Sequence, residues 1–246
     1  EITVSEIISD VSCNGGIDGE VNLIISGGTQ PYNIDWGIYN NLSLSVGSYI
    51  YQVYDVNSCT YSAIVNVTEP LPISVIPTIM NSSCPNTNDG SVYINISGGT
   101  PPYSYLWNNG QITQTATGLS PGTYSFTVTD ENDCSASISV DITETDEMGI
   151  SATWSDYTGY GVSCNGVTDG WIDVTVTGGT GVYTYDWSNG ADTEDVSDLG
   201  AGSYSVTVTD ENGCSVSISV TITETEAMAI SETHSNYTGY GVSCNG

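Results

Sequence analysis

Apolar and polar residues alternate with a period of two along most of this chain, and glycine or proline interrupts the alternation at short intervals. Residues 91–97 read SVYINIS, with Val92, Ile94 and Ile96 on one face and Tyr93 and Asn95 on the other, the pattern of a half-buried strand. Gly98-Gly99-Thr100-Pro101-Pro102 ends it, because glycine permits positive φ and proline cannot donate to a ladder. Tyr103, Tyr105 and Trp107 share a face of the next strand, which stops at the hairpin signal Asn109-Gly110. A short strand is predicted over 111–116, followed by a turn at Ser120-Pro121-Gly122. Over 123–129, Tyr124, Phe126 and Val128 oppose hydroxyl residues. Residues 130–133 then turn the chain into a last strand whose inner face carries Cys134, Ala136, Ile138, Val140 and Ile142. The opening strand falls at 73–80, where Pro77 confines it to a sheet edge or a bulge. Six or seven short strands without helical periodicity predict a β-sandwich.

The same succession occurs three times. Cys13, Gly27-Gly28-Thr29, Trp36 and Cys59 are echoed by Cys84, Gly98-Gly99-Thr100, Trp107 and Cys134, and again by Cys164, Gly178-Gly179-Thr180, Trp187 and Cys214. Each tryptophan follows its first cysteine by 23 residues. Residues 157–166 and 237–246 are the same ten residues, YTGYGVSCNG, so a fourth copy begins near the end. The chain therefore divides into repeats at 1–70, 71–147 and 148–227, with 228–246 opening a fourth. No Gly/Ser-rich linker separates them, and the expected architecture is all-β: tandem Ig-like sandwiches forming an extended rod. The order Cys, Trp, Cys suggests an immunoglobulin domain, although the first cysteine here precedes the first central strand and the second opens the last.

Composition narrows the function. There are 29 acidic residues and no lysine or arginine, which excludes nucleic-acid phosphates and anionic lipid as partners. No window approaches 18 consecutive apolar residues, so no membrane insertion is expected in this segment, and any export signal is expected to lie outside it. Seven cysteines without CxxC spacing point to disulfides in an oxidising, extracellular setting rather than to a metal site. If each repeat closes without its neighbour, the pairs are Cys13–Cys59, Cys84–Cys134 and Cys164–Cys214, leaving Cys244 over. Such a bridge would pin one end of each sandwich.

Candidate chemistry is sparse. The one histidine, His234, stands where the previous repeat has Trp154, so no complete repeat holds a His-based triad or zinc site, and an enzyme is not expected. Asp18, Asp89 and Asp169 each lie five residues after a first cysteine, and Asp55, Asp130 and Asp210 each begin a D-x-N-x-C turn. No cofactor is required, but Asp89 with Asp130 and Asn132, and Asp169 with Asp210 and Asn212, are candidate Ca²⁺ ligands if each cysteine pair brings them to one end. The alternative is that these residues only build Asx-turns. Trp36, Trp107 and Trp187 are expected in the core. Cys134 to Cys164 spans five residues more than Cys59 to Cys84, and the longer stretch holds Trp154, Tyr157 and Tyr160. That cluster either packs between adjacent repeats, together with Met148 and Ile150, or stacks on sugar.

The run SCNG-x-x-DG, then GGT-x-x-Y-x-Y-x-W, then a G-[TS]-Y turn and D-x-N-x-C resembles the SprB repeat of gliding-motility surface adhesins. It is carried by Cys164-Asn165-Gly166, Asp169-Gly170, Gly178-Gly179-Thr180, Tyr183, Tyr185, Trp187, Gly202-Ser203-Tyr204 and Asp210 to Cys214. Residues 103–110 and 121–130 are also similar to PKD domains, which are Ig-like sandwiches of surface proteins. The resemblance implies a stalk or filament segment of a very long cell-surface protein, exported by the type IX system and moved along the cell in gliding. Its partners would be neighbouring repeats, with surface polysaccharide or lateral copies of itself as alternatives. Repeat 1 departs from the pattern, with Ile34 for the second tyrosine and Gly37-Ile38-Tyr39 for the W-x-N-G turn.

Overall fold

The computed structural model describes residues 1–233; His234, Tyr237, Tyr240, Cys244 and most of the stretch assigned to a fourth repeat lie outside the described residues. The described residues contain no helix. Two compact units are present, one of residues 1–82 with 86–144 and one of residues 83–85 with 145 onward.

Repeat 1 runs β1 (Ile2–Ser9), β2 (Glu20–Gly27), β3 (Asn33–Asp35), β4 (Gly47–Tyr54) and β5 (Thr60–Val67). Repeat 2 runs β6 (Ser74–Met80), β7 (Gly90–Ser97), β8 (Ser104–Trp107), β9 (Thr115–Leu119), β10 (Gly122–Thr129) and β11 (Ser135–Ile142). Repeat 3 repeats that plan as β12 (Gly149–Trp154), β13 (Gly170–Thr177), β14 (Thr184–Trp187), β15 (Val196–Leu199), β16 (Gly202–Thr209) and β17 (Ser215–Ile222). In repeat 2 the sheets are β6-β7-β9 and β8-β10-β11, and in repeat 3 they are β12-β13-β15 and β14-β16-β17, all antiparallel. That is the A-B-E and C-F-G division of an Ig-like sandwich. Pro77 sits in an edge strand opposite Ile94, the position its missing N–H allows.

Inward residues of the two sheets meet in one core per repeat. In repeat 2, Val92 and Ile94 of β7, with Ala116 and Leu119 of β9, pack on Trp107, Phe126, Val128, Val140 and Ile142. Trp107 packs against Phe126 with ring centres 4.8 Å apart and planes tilted by 53°, and its ring N–H is satisfied by the Thr113 carbonyl at 2.9 Å. Trp187 is likewise buried and donates to Thr193 O, with Val206 where repeat 2 has Phe126. Repeat 1 differs where its sequence departs. β3 shrinks to three residues, the counterpart of β9 is reduced to the single bridge Gly19–Leu44, and Trp36 is only half-buried. Tyr51, opposite Ala63 in the β4–β5 ladder, takes the place of Phe126 and is fully buried; its hydroxyl donates to Glu6 at 2.6 Å. Burial, reinforced by Glu6, pushes the Tyr51 hydroxyl well above its ordinary pKa.

Each sandwich has an entry end and an exit end. The glycine pair of the GGT motif and the turn before the last strand lie at the entry end, where Glu131 N–H donates to Thr100 O in repeat 2 and Val56 N–H to Thr29 O in repeat 1. The loop after the first strand lies at the exit end, beside the end of the last strand: Val11 N–H donates to Thr68 O, Ser82 N–H to Thr143 O, and Val162 N–H to Thr223 O.

Candidate functional site: a disulfide junction built from two loops

At the entry end, one aspartate organises each turn. Asp130 is buried, and its carboxylate accepts from the backbone N–H of Thr100 at 2.8 Å, Asn132 at 2.9 Å and Cys134 at 3.0 Å. Asp55 does the same with Thr29, Asn57 and Cys59, and Asp210 with Thr180 and Cys214. The Cys59 N–H is the chief influence holding the Asp55 carboxyl below its ordinary pKa. Burial raises Asp130, but the N–H groups of Thr100, Cys134 and Asn132 together outweigh it and leave that carboxyl lowered as well. The second glycine of each GGT closes over this aspartate. A Cβ on Gly99, which has φ +66°, would stand 2.9 Å from the Asp130 carboxylate and 2.7 Å from Ile73.

At the exit end, the loop holding each first cysteine is tied down from three sides. In repeat 1, Asp18 accepts from Ser12 N–H, Glu69 accepts from Gly15 N–H at 2.6 Å, and Asn14 donates to Pro70 O. Repeat 3 is built alike, with Asp169 on Ser163, Glu224 on Gly166 at 2.7 Å and Asn165 on Thr225 O. In repeat 2, Glu144 accepts from Asn86 N–H at 2.8 Å. Hydrogen bonds from Ser12 lower Asp18 below its ordinary pKa, and those from Ser163 lower Asp169. These glutamates were not singled out from the sequence, although each stands ten residues after its repeat's second cysteine. The glycine of the DG pair is required by space: a Cβ on Gly90 would meet Leu119 O at 2.9 Å and Ile142 at 2.8 Å.

The two ends decide the disulfides. The bonds are Cys13–Cys134, with Cα atoms 5.7 Å apart, and Cys84–Cys214, with Cα atoms 5.5 Å apart. The intra-repeat pairs Cys13–Cys59, Cys84–Cys134 and Cys164–Cys214 are therefore corrected: the first cysteine of one repeat bonds the second cysteine of the next. Strand direction is the reason. Cys59 immediately precedes β5, while the Cys13 loop lies beside the end of β5, at Thr68. Eight residues of strand separate those points by about 26 Å, whereas a disulfide needs Cα atoms within about 7 Å. Around the bond in the first unit, Asn132 Nδ2 donates to Ser12 O at 3.1 Å, and Cys134 Sγ lies 3.4 Å from that oxygen. In the second unit, Asn212 Nδ2 donates to Ser83 O at 3.3 Å, and Cys214 Sγ lies 3.3 Å from it. Cys59 and Cys164 are exposed free thiols.

The same geometry separates the candidate calcium ligands. Asp89 and Asp169 lie at the exit end, whereas Asp130 with Asn132 and Asp210 with Asn212 lie at the entry end, so neither set forms one site within its repeat. Among the described residues, no group of three or more His, Cys, Asp or Glu side chains is placed to hold a metal ion. Asp89 instead accepts from the hydroxyls of Ser82 and Thr87. Trp154, Tyr157 and Tyr160 also stand elsewhere than expected. They belong to the end of β12 and the loop after it, at the exit end of repeat 3, and are 48%, 39% and 41% exposed. Met148 is buried in the core of repeat 3 and Ile150 packs against it.

The SprB repeat family model matches residues 5–37, 76–112 and 162–192. Three segments of this chain, one in each repeat, match the SprB repeat. Each match takes in the exit-end loop with its first cysteine and the GGT turn, and stops before the D-x-N-x-C turn and the second cysteine. No curated protein matches the sequence. Among solved structures, extracellular domains 3–5 of Drosophila OTK align over 92% of this chain and 92% of theirs at 14% identity, with a TM-score of 0.33. The N-terminal eight Ig domains of DSCAM align over 89% of this chain and 32% of theirs at 10% identity, also with a TM-score of 0.33. The Ig-like assignment rests on the strand order described above.

Proposed function

We propose that this chain is a load-bearing stalk segment of an extracellular cell-surface adhesin, of the kind used in gliding motility and surface attachment. The observation that carries this reading is that a repeat's two cysteines lie at opposite ends of its sandwich and serve different neighbours. Tension entering at the second cysteine and leaving at the first acts along the strands. Such shear loads the rungs of an antiparallel ladder together rather than one at a time. The SprB repeats support a place on the cell surface, and the disulfides support an oxidising compartment. A chain with 29 acidic residues and no lysine or arginine repels copies lying alongside it. The test is made on living cells of the producing species. Antibody raised against this chain should label unpermeabilised cells, and beads carrying that antibody should travel along gliding cells. Label confined to the cell interior would overturn the surface placement, and stationary beads on gliding cells would remove the motility role.

A second reading, a carbohydrate-binding array, is favoured by one feature of repeat 3. Exposed Trp154 and Tyr160 border a shallow depression with Ser155, Asp156 and Thr223, a combination of aromatic faces and polar groups suited to sugar. Polysaccharide retention by the chain that Trp154→Ala abolishes would establish that role.

A further inference from the structure

Cys59 and Cys164 are the two cysteines of complete repeats that are left without a partner, and they are complementary. Cys59 is a second cysteine and Cys164 a first. Both bonded pairs join a first cysteine to a second, and in each the asparagine two residues before the second cysteine donates to the carbonyl of the serine before the first. The open halves have the construction of the closed ones. Asn57 is positioned by Thr29 Oγ1 as Asn132 is by Thr100 Oγ1, and Asp55 fixes the Cys59 N–H as Asp130 fixes that of Cys134. On the other side, Ser163 is held by Asp169 as Ser12 is by Asp18. The sulfurs differ in one respect: Cys59 and Cys164 are exposed, whereas their bonded counterparts are half-buried or buried.

We propose that Cys59 and Cys164 are complementary halves of the junction seen at Cys13–Cys134 and Cys84–Cys214, each made to bond the matching cysteine of a further SprB repeat, so that two copies of this chain brought together, each supplying the repeat the other lacks, join through Cys164–Cys59. The step is an oxidation. One thiol from each copy loses a proton and an electron to form the S–S bond, and a disulfide oxidant such as oxidised glutathione takes up both electrons and both protons to leave two thiols. The bond should be guided by Asn57 Nδ2 donating to Ser163 O across the copies.

The experiment uses the full chain carrying Cys244→Ser, which removes the remaining thiol. Isotopically heavy and light copies are mixed at high concentration with oxidised glutathione, and the disulfides are mapped after chymotryptic digestion without reduction. The expected result is a ladder of multimers in which Cys59–Cys164 dominates over Cys59–Cys59 and Cys164–Cys164 by at least ten-fold. Asn57→Ala should lower that yield several-fold while leaving the rate at which Cys59 reacts with a small maleimide unchanged. Three results would overturn the proposal: statistical proportions of the three bridges, chains left monomeric as glutathione adducts, or a Cys59–Cys164 yield insensitive to Asn57→Ala.

Discussion

The aspartate of the entry-end turn shows how much a single carboxylate can fix. Asp130 gathers three backbone N–H groups from two segments of chain, and leaving even one buried donor without an acceptor costs on the order of 1–3 kcal/mol. Asp130→Ala should therefore lower the melting temperature by several degrees, with Asp130→Asn intermediate because it keeps one acceptor. The pH dependence follows from the lowered pKa. A carboxylate with a depressed folded-state pKa stabilises fully above the unfolded aspartate value of about 3.9, and this stability is lost as pH falls through the folded value. Over the same range, protonation of the other acidic side chains relieves repulsion and works in the opposite direction. The two effects separate by subtraction. The stability difference between wild type and Asp130→Asn, measured by urea unfolding, should be constant above about pH 5 and shrink steadily below about pH 4. A difference unchanged down to pH 2 would mean that the charge of Asp130 contributes nothing to the turn.

Among the elements, the corner before the final hairpin of each repeat is the most regular. Tyr49, Tyr124 and Tyr204 each send a hydroxyl back four residues, to Ser45 O at 2.8 Å, Ser120 O at 3.0 Å and Gly200 O at 3.1 Å. This is the tyrosine corner of Ig-like folds, and it explains the tyrosine of the G-[TS]-Y motif. Tyr124→Phe should lower stability by about 1 kcal/mol, read as a lower urea midpoint at unchanged m-value. At this scale the sequence was highly legible. Alternation located β7, β10 and β11, the edge position of Pro77 agreed with β6, and the tryptophans of repeats 2 and 3 are core residues. Alternation reports which face a residue occupies but not which end of the sandwich it reaches, and the errors are of that kind. The exit-end position of Cys13 and the entry-end position of Cys59 follow from strand direction, which depends on how many times the chain has crossed the sandwich. Without the ends, spacing groups the calcium ligands across a strand's length, and it does not show that Trp154, Tyr157 and Tyr160 stand at the end of the first strand of repeat 3 and in the loop after it. The position of Trp36 shifted for a different reason: β3 is too short to carry it fully into the core.

For the whole molecule, the staggered bonds set the path that force must take. Held by its two termini with both bridges closed, the chain has a shortest covalent route that runs from residue 1 to Cys13, across to Cys134, back along the backbone to Cys84, across to Cys214 and on to residue 246. At about 3.5 Å per residue that route extends to about 340 Å, against about 860 Å when both bonds are reduced. The peptide segments that connect repeats 1 and 2 and repeats 2 and 3 lie off this route and carry no tension until a disulfide breaks. Total extension does not by itself identify the pairing, because bonds inside each repeat would shorten the chain by a similar amount. Single substitutions do. Cys59 is a free thiol here, so Cys59→Ser should leave the fully stretched length of the oxidised chain unchanged in a single-molecule pulling experiment. Cys84→Ser opens one bridge and should lengthen it by about 100 Å. If Cys59→Ser instead adds on the order of 160 Å, Cys59 was bonded to Cys13. Each repeat would then be closed on itself, and tension would pass through the peptide connections that the staggered bonds shield.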